Sequence, residues 1–277
     1  MPTNLLPSNI TPTAFQILLS RYPTHIPPAL QDLDSFRYST LPSTLESRIS
    51  SNAPHLTKPE LEKLISWKLS HGKHRPQLAS LVSSNSEAKV KAATGQVFPN
   101  EFPPKVPPKW ETLKVSLDMF TQLKGIGPAS ASLILSTFSP ITIPFFSDEV
   151  YRYLTYESSS KGKGWDRKIN YTLKEYKIVV EKIKPLMERL NVAAWEVEKV
   201  AYVLGKEKLD LLDPEPWVEG GVALGSDAGE GGDGVEGIAD SGDVGPSEGE
   251  SVQKGKRKAM GKAEGDALSP SATKKRK

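Results

Sequence analysis

Residues 120–135 read FTQLKGIGPASASLIL, and this stretch decides the fold of the chain around it. Its pattern predicts a helix that ends near Leu123, a tight turn over residues 124–127 and a second helix that begins at Pro128. Proline suits a first helical turn because its φ is already helical and its missing N–H would have no partner there. Apolar side chains recur at helical spacing beyond it. The stretch therefore predicts two helices joined by a hairpin turn.

The hairpin turn is a candidate site for an anion. Glycines at 125 and 127 allow backbone angles closed to other residues, and we expect Ile126 between them to pack into the helix pair. The first N–H groups of a helix lack internal acceptors, so the amides after the turn form a small electropositive cup suited to one phosphate. An ordinary glycine turn between two helices is the alternative. The predicted phosphate-binding residues are Lys124, Gly125, Gly127, Ala129 and Ser130.

Asp148 is the second candidate for function. It follows a loop that contains Pro140 and Pro144, and it opens another predicted helix. The run Ser147-Asp148-Glu149 is also a common way for a helix to begin, with a capping serine followed by acids that favour the positive end of the helix dipole. Catalytic and structural roles therefore both remain open for this carboxylate.

Two segments together resemble a known family. LKGIGPASASLIL at residues 123–135 resembles the helix-hairpin-helix of the DNA glycosylase superfamily, and SPITIPFFSDEVYRYL at residues 139–154 resembles the Pro-containing loop that precedes its catalytic aspartate. The likeness covers residues 111–156, and less specifically 58–205. WKLSHGKHRPQL at residues 67–78 is also similar to a segment of the eukaryotic Amun-like group, which carries a glycosylase-like domain.

The resemblance implies an all-α, DNA glycosylase-like helical fold that binds double-stranded DNA and hydrolyses the N-glycosidic bond of a damaged or mismatched base. Asp148 would be the catalytic residue. Members that also cut the strand usually carry a lysine early in the second hairpin helix, where this chain has Ala129, so the resemblance implies a monofunctional enzyme without lyase activity. One alternative is a catalytically inactive helix-hairpin-helix protein that binds DNA or chromatin. Another is a scaffold with no role on DNA.

Composition and helical periodicity divide the chain into three parts. The predicted parts are an irregular and helical N-terminal segment (1–55) packed on the core, a helical domain (56–216) and a disordered C-terminal tail (217–277). Short helices are expected over 13–21 and 30–38 in the first part. The second part contains the hairpin motif (112–138) and the aspartate loop (139–148).

Several helix boundaries of the second part can be predicted. Thr57 and Glu60 form a capping box that should begin a helix, because each side chain can satisfy a backbone N–H of the other residue. Long helices are expected over 173–190, bent at Pro185, and over 193–204, ending at Gly205. Residues 98–110 contain five prolines and predict an extended connection.

Further contacts with DNA are predicted outside the hairpin. The candidates lie in a short basic connector after residue 72 and in a basic loop over residues 157–170, where Trp165 could stack on a base. The alternatives are a solvated basic turn and a tryptophan that fixes the loop to the core. These candidate residues are Arg75, Lys161, Lys163 and Trp165.

Composition bounds the chemistry and the location. The chain has no cysteine, which excludes disulfides, thiolate zinc sites and iron–sulfur clusters, and we expect neither a metal nor a cofactor. No secretory signal or membrane-length apolar run is present, and we expect a monomer without membrane contact. Charged residues in 218–252 are all acidic, whereas basic residues dominate 253–277 and form two clusters near the end. The clusters predict nuclear location and binding to the import machinery.

Overall fold

The computed structural model describes residues 4–72, 75–96, 108–158 and 162–214, and these residues contain helices and no strand. The all-α class predicted from the sequence is confirmed. The helices are α1 (Pro12–Arg21), α2 (Gln31–Ser35), α3 (Leu41–Ser50), α4 (Lys58–His71), α5 (Pro76–Ser83), α6 (Glu87–Gly95), α7 (Trp110–Phe120), α8 (Pro128–Phe138), α9 (Asp148–Leu154), α10 (Leu173–Leu190) and α11 (Ala194–Glu207).

Short polar motifs set where these helices begin. The Thr57 hydroxyl accepts a hydrogen bond from the Glu60 amide, and the Glu60 carboxylate accepts one from the Thr57 amide. The predicted capping box is therefore confirmed. The same arrangement starts α10, where Thr172 and Glu175 cap each other. Such caps supply acceptors for amides that have no partner inside the helix.

Helix α8 lies at the centre of the described helical domain. Every residue from Ala129 to Phe138 is buried, because α7, α4 and α3 pack against different sides of this helix. Its partner α7 precedes it across the turn, so the predicted pair of helices joined by a hairpin is confirmed. Its apolar side chains lie on more than one side of the helix, so only such enclosure buries them all.

The two ends of the described domain meet. Helix α11 packs against α9 and against α1, and the Leu5 amide donates to the Leu211 carbonyl at 2.8 Å. The N-terminal residues Leu5, Phe15 and Leu18 are fully buried in the same core as the late helices. These residues of the N-terminal segment therefore belong to the same core as the late helices.

The N-terminal segment is more helical than predicted. A helix was expected over 30–38, but helical backbone runs from Pro28 to Ser50, as a 3₁₀ turn (Pro28–Leu30), α2, a π-helical turn (Phe36–Thr40) and α3. The π-helical turn carries Arg37 into the core with no exposed surface. Isolated π turns often mark functional sites, and this one borders the cavity described below.

The sequence predicted that the last helix ends at Gly205, and this prediction is wrong. Helix α11 continues to Glu207 and ends at Lys208, which adopts the left-handed conformation (φ 50°) typical of a helix C-terminus. Gly205 faces α9, where a β-carbon would lie 2.9 Å from Cγ of Glu149. Its role is thus close packing rather than termination.

Of the remaining predicted segments, only α10 lies fully within the described residues. Helix α10 continues through Pro185 as one helix of 18 residues. The extended connection predicted over 98–110 lies outside the described residues except at its last three positions, and the C-terminal tail lies outside them entirely.

Candidate functional site

A cavity of about 260 Å³ opens beside the hairpin and Asp148. It lies between α4, the first turn of α8 and the loop that leads into α9. Its polar lining includes Lys68, Arg75 and Asp148, together with the turn residues Gly125 and Gly127. Its walls are mainly aromatic and include the rings of Tyr38, Trp67, Phe145, Phe146, Tyr171 and Tyr202.

Asp148 is the first residue of α9 and follows the capping residue Ser147. Its Oδ1 accepts a hydrogen bond of 2.7 Å from the Tyr171 hydroxyl, and its Oδ2 lies 3.7 Å from Nη1 of Arg152. The side chain keeps 27% of its surface exposed. The carboxylate is thus held in one orientation at the cavity wall while remaining accessible to a ligand.

Tyr171 was not predicted from the sequence as a site residue. Its φ is 56°, an unusual value for a residue with a large side chain, and strain of this kind clusters at functional sites. Besides holding Asp148, its ring packs under the Arg75 guanidinium, 4.8 Å from the ring centre. Burial and the charge of Asp148 raise the pKa of the Tyr171 hydroxyl to about 12, so it remains a hydrogen-bond donor at neutral pH.

Lys68 is a second residue that sequence reasoning missed. It lies on the inner face of α4, and its Nζ donates a 2.9 Å hydrogen bond to Oγ of Ser130 in the first turn of α8. Burial, and then the charge of Arg75, lower the pKa of its ammonium to about 8, whereas Asp148 acts in the opposite direction. A lysine whose ammonium has a lowered pKa therefore lies in the same cavity as the candidate aspartate.

Glu149 also lines the cavity and differs from its neighbour. Burial, and to a smaller extent the charge of Asp148, raise the pKa of the Glu149 carboxyl above its usual range. The room for this side chain depends on Gly205 in α11, which lies against its Cγ. The sequence showed Glu149 only as part of a helix start.

The hairpin turn shows that its two glycines have different roles. Gly125 has a φ of 79°, and a β-carbon there would lie 3.0 Å from both Leu81 and Val82. Gly127 has an extended backbone (φ −99°, ψ −177°), and a β-carbon there would meet no atom within 4 Å. Of the two glycines, only Gly125 therefore uses a backbone conformation closed to other residues.

The predicted phosphate-binding residues are partly brought together. Gly125, Gly127, Ala129 and Ser130 border the cavity that Asp148 also lines, but Lys124 is not among the lining residues. The side chain of Lys124 is exposed, while its backbone is bound by Asn85. Ile126 is buried, as expected for the residue between the glycines. Binding of phosphate at this turn stays a prediction.

The predicted contacts beyond the hairpin fall in different places. Arg75 lines the cavity, whereas Trp165 lies away from it. The indole N–H of Trp165 donates to the Leu209 carbonyl at 2.8 Å, and its ring meets Tyr156 edge to face. This packing agrees with the alternative in which Trp165 fixes the loop to the core. Lys163 is exposed near it, and Lys161 lies outside the described residues.

A buried polar network forms the inner side of the cavity. Arg37 donates to Ser136 at 2.6 Å and lies 3.4 Å from Glu198, whose other carboxylate oxygen accepts from the Tyr38 hydroxyl at 2.7 Å. Burial raises the pKa of the Glu198 carboxyl. Nearby, Asp34 accepts hydrogen bonds from Tyr22 and Trp67. These contacts hold the aromatic walls in fixed orientations.

His71 completes this inner side. Its ring stacks on Trp67 with 4.4 Å between ring centres, and its Nδ1 lies 2.9 Å from the Trp67 carbonyl. Its Nε2 lies 3.2 Å from Asp34, close enough for an ion pair but outside hydrogen-bond geometry. In the described part of the chain, no group of three or more His, Asp or Glu residues could hold a metal ion.

A scan of family models, a search of curated proteins and a search of solved structures found no match to this chain. Among the helices of the described residues, none is both long and apolar enough to cross a membrane. The residues around the cavity define the chemistry of the site. It combines stacking surfaces, a fixed carboxylate, two cationic side chains and the N-terminal end of a helix.

Proposed function

We propose that the helical domain binds double-stranded DNA, receives one nucleotide in the cavity and hydrolyses its N-glycosidic bond with Asp148 as the catalytic residue. The observation that carries this proposal is that aromatic walls, an accessible carboxylate and the hairpin border one cavity. An enzyme that acts on a base must take it out of the duplex, and it commonly holds the extruded base between aromatic rings. Sites for small ligands are likewise mostly apolar with a few convergent polar groups.

The proposed roles follow from charge. As the glycosidic bond breaks, positive charge develops on the deoxyribose, and a carboxylate already fixed beside it stabilises that charge without reorganising. Tyr171 supports this role because its hydroxyl orients Asp148. Arg75 lies on the ring of Tyr171 and supplies positive charge that favours a phosphate beside the sugar.

We also propose that the helices form a DNA glycosylase-like fold and that the protein is located in the nucleus. Two helices joined by a glycine turn, followed by a proline loop and an aspartate at a helix start, support a glycosylase-like arrangement. The basic clusters near the end of the sequence, KGKRK at 254–258 and KKRK at 274–277, support nuclear import.

The test is a single-turnover excision assay with the full chain over a panel of duplexes that carry damaged or mismatched bases. Asp148→Asn should lower excision by roughly 100- to 1,000-fold, because it removes the charge opposite the developing cation. Duplex affinity, measured by fluorescence anisotropy, should change little. Equal excision by wild type and Asp148→Asn would remove Asp148 from the mechanism.

Asp118→Asn is the matched control. Asp118 is also an aspartate paired with a base four residues away, Lys114, but it lies exposed on α7 outside the cavity lining. Its substitution should leave excision within about twofold, since exposed ion pairs contribute little.

A second candidate function is DNA binding without turnover. Both oxygens of Asp148 already have partners within the domain, Tyr171 and Arg152, as expected for a carboxylate with a structural role. Tight duplex binding without excision of any base in the panel would favour this candidate.

A further inference from the structure

Lys68 is a buried amine that the proposed glycosidic step does not use. Helix α4 begins at its capping box and directs Trp67, Lys68 and His71 towards the cavity. The Lys68 ammonium is anchored at one point, by its 2.9 Å hydrogen bond to Ser130. Ser130 lies in the hairpin helix directly after Ala129, so α4 delivers an amine to the part of the cavity that α8 leaves without one.

The surroundings of Lys68 are those of a reactive lysine. A lysine becomes a nucleophile at neutral pH when burial and a neighbouring cation destabilise its charged form. Both conditions hold here, because the side chain is largely enclosed and Arg75 lies on the same cavity wall. With a pKa of about 8, roughly a tenth of the amine is neutral at pH 7, against less than about one part in a thousand for an ordinary lysine.

We propose that Lys68 condenses with the aldehyde of a ring-opened abasic deoxyribose, which gives the domain a strand-cleaving step that Ala129 cannot supply. The proposal rests on the proposed function for the delivery of DNA to the cavity. It differs from the expectation of a monofunctional enzyme, because the amine comes from α4 instead of the hairpin helix.

The reaction needs only the amine, the abasic sugar and water. The nitrogen lone pair of the neutral amine attacks the aldehyde carbon, the carbonyl oxygen leaves as water with the two amine protons, and a carbon–nitrogen double bond remains. The imine acidifies the neighbouring C2′ position. A water molecule takes up that proton, and the electrons of the C2′–H bond form a C2′–C3′ double bond. The 3′ phosphate departs with the electrons of the C3′–O bond, which cuts the strand. Water hydrolyses the imine and releases Lys68.

The first experiment traps the imine. Full-length protein is incubated with a duplex that carries one abasic site in the presence of cyanoborohydride, which reduces the imine to a stable secondary amine. The covalent complex and strand cleavage should both fall on the order of 1,000-fold or more in Lys68→Arg, which keeps the charge but not the nucleophile. Lys63→Arg on the same helix is the matched control and should match wild type, since Lys63 lies exposed over the ring of Phe36.

The second experiment needs no DNA. Pyridoxal 5′-phosphate, an aldehyde, forms imines with lysines of the protein, and these imines are then reduced to stable amines. The labelled peptide is located by mass spectrometry. Labelling at Lys68 should rise from pH 7 to pH 8.5 and level off above about pH 9, because the neutral fraction saturates above the pKa. The groups that act on this titration are Arg75 and Asp148. Labelling at Lys68 that follows the same pH profile as labelling at the exposed Lys63, or labelling that spares Lys68, would overturn the proposal.

The two proposals can fail separately. Base excision without trapping at Lys68 would leave the glycosylase and remove this inference. Trapping at Lys68 without excision of any base would leave an enzyme that acts on abasic sites and remove the proposed function. Loss of duplex affinity in Lys68→Arg together with unchanged trapping per bound complex would make Lys68 a phosphate contact only, which also overturns the inference.

Discussion

The two glycines of the hairpin turn have different structural roles although they are the same residue type. Gly125 and Gly127 look equivalent in the sequence GIG, but only Gly125 occupies the left-handed region, at φ 79°. Its backbone also lies against Val82 of α5, with no space for a β-carbon. Gly127 has the extended backbone that any residue preceding a proline favours, and Pro128 follows it.

Substitution of the two glycines should therefore have unequal effects. Gly125→Ala should lower the free energy of unfolding by about 1–3 kcal/mol, because the left-handed backbone is strained for alanine and the β-carbon overlaps α5. Gly127→Ala should leave it within about 0.5 kcal/mol. Urea unfolding followed by circular dichroism measures both. Equal losses would show that the turn does not distinguish the two positions.

At the scale of elements, the hairpin turn is held by the connection between α5 and α6. Asn85 is buried, and its amide group donates to the carbonyls of Val82 and Lys124 and accepts from the Lys124 amide. These bonds satisfy backbone groups of the turn that α7 and α8 cannot reach. The turn is therefore rigid because a third element clamps it, and the same clamp fixes the edge of the cavity.

Asn85→Ala should loosen this clamp. The substitution leaves the partly buried amide and carbonyl of Lys124 without partners, which we expect to lower the free energy of unfolding by about 2 kcal/mol. Hydrogen exchange of the amides at residues 124–127 should accelerate beyond the global change. Gln122→Ala, at an exposed position next to the turn, serves as the control and should change stability by less than about 0.5 kcal/mol. Unchanged exchange in Asn85→Ala would contradict the clamp.

At the scale of the whole molecule, a buried ion pair joins distant parts of the chain. Arg37 from the π-helical turn meets Glu198 of α11 and Ser136 of α8 with no exposed surface of its own. Arg37 also lies over the rings of Tyr38 and Trp67, which form cavity wall. The pair thus links the closure of the fold to the shape of the site.

Removal of one partner of this ion pair should destabilise the fold. Glu198→Ala leaves the Arg37 charge buried without its partner and should lower the free energy of unfolding by about 3–5 kcal/mol. The double variant Arg37→Met with Glu198→Leu should recover most of that loss, because no buried charge remains. Glu181→Ala, in an exposed pair with Lys177 on α10, is the control and should change stability by less than about 1 kcal/mol. A single Glu198→Ala loss as small as that of the control would show that Arg37 finds another partner.

The sequence by itself determined the all-α class, the capping box that begins α4 and the hairpin, because these depend on residues within one or two turns of each other. Thr57 with Glu60, and Pro128 after the glycine turn, are examples that could be read directly. Only the tertiary structure decided that Lys68, Tyr171 and Asp148 share one cavity, that Trp165 packs on Leu209, and that Gly205 makes room for Glu149. The physical reason is that capping and periodicity act locally, whereas a cavity is formed by side chains from helices that meet only when the core packs.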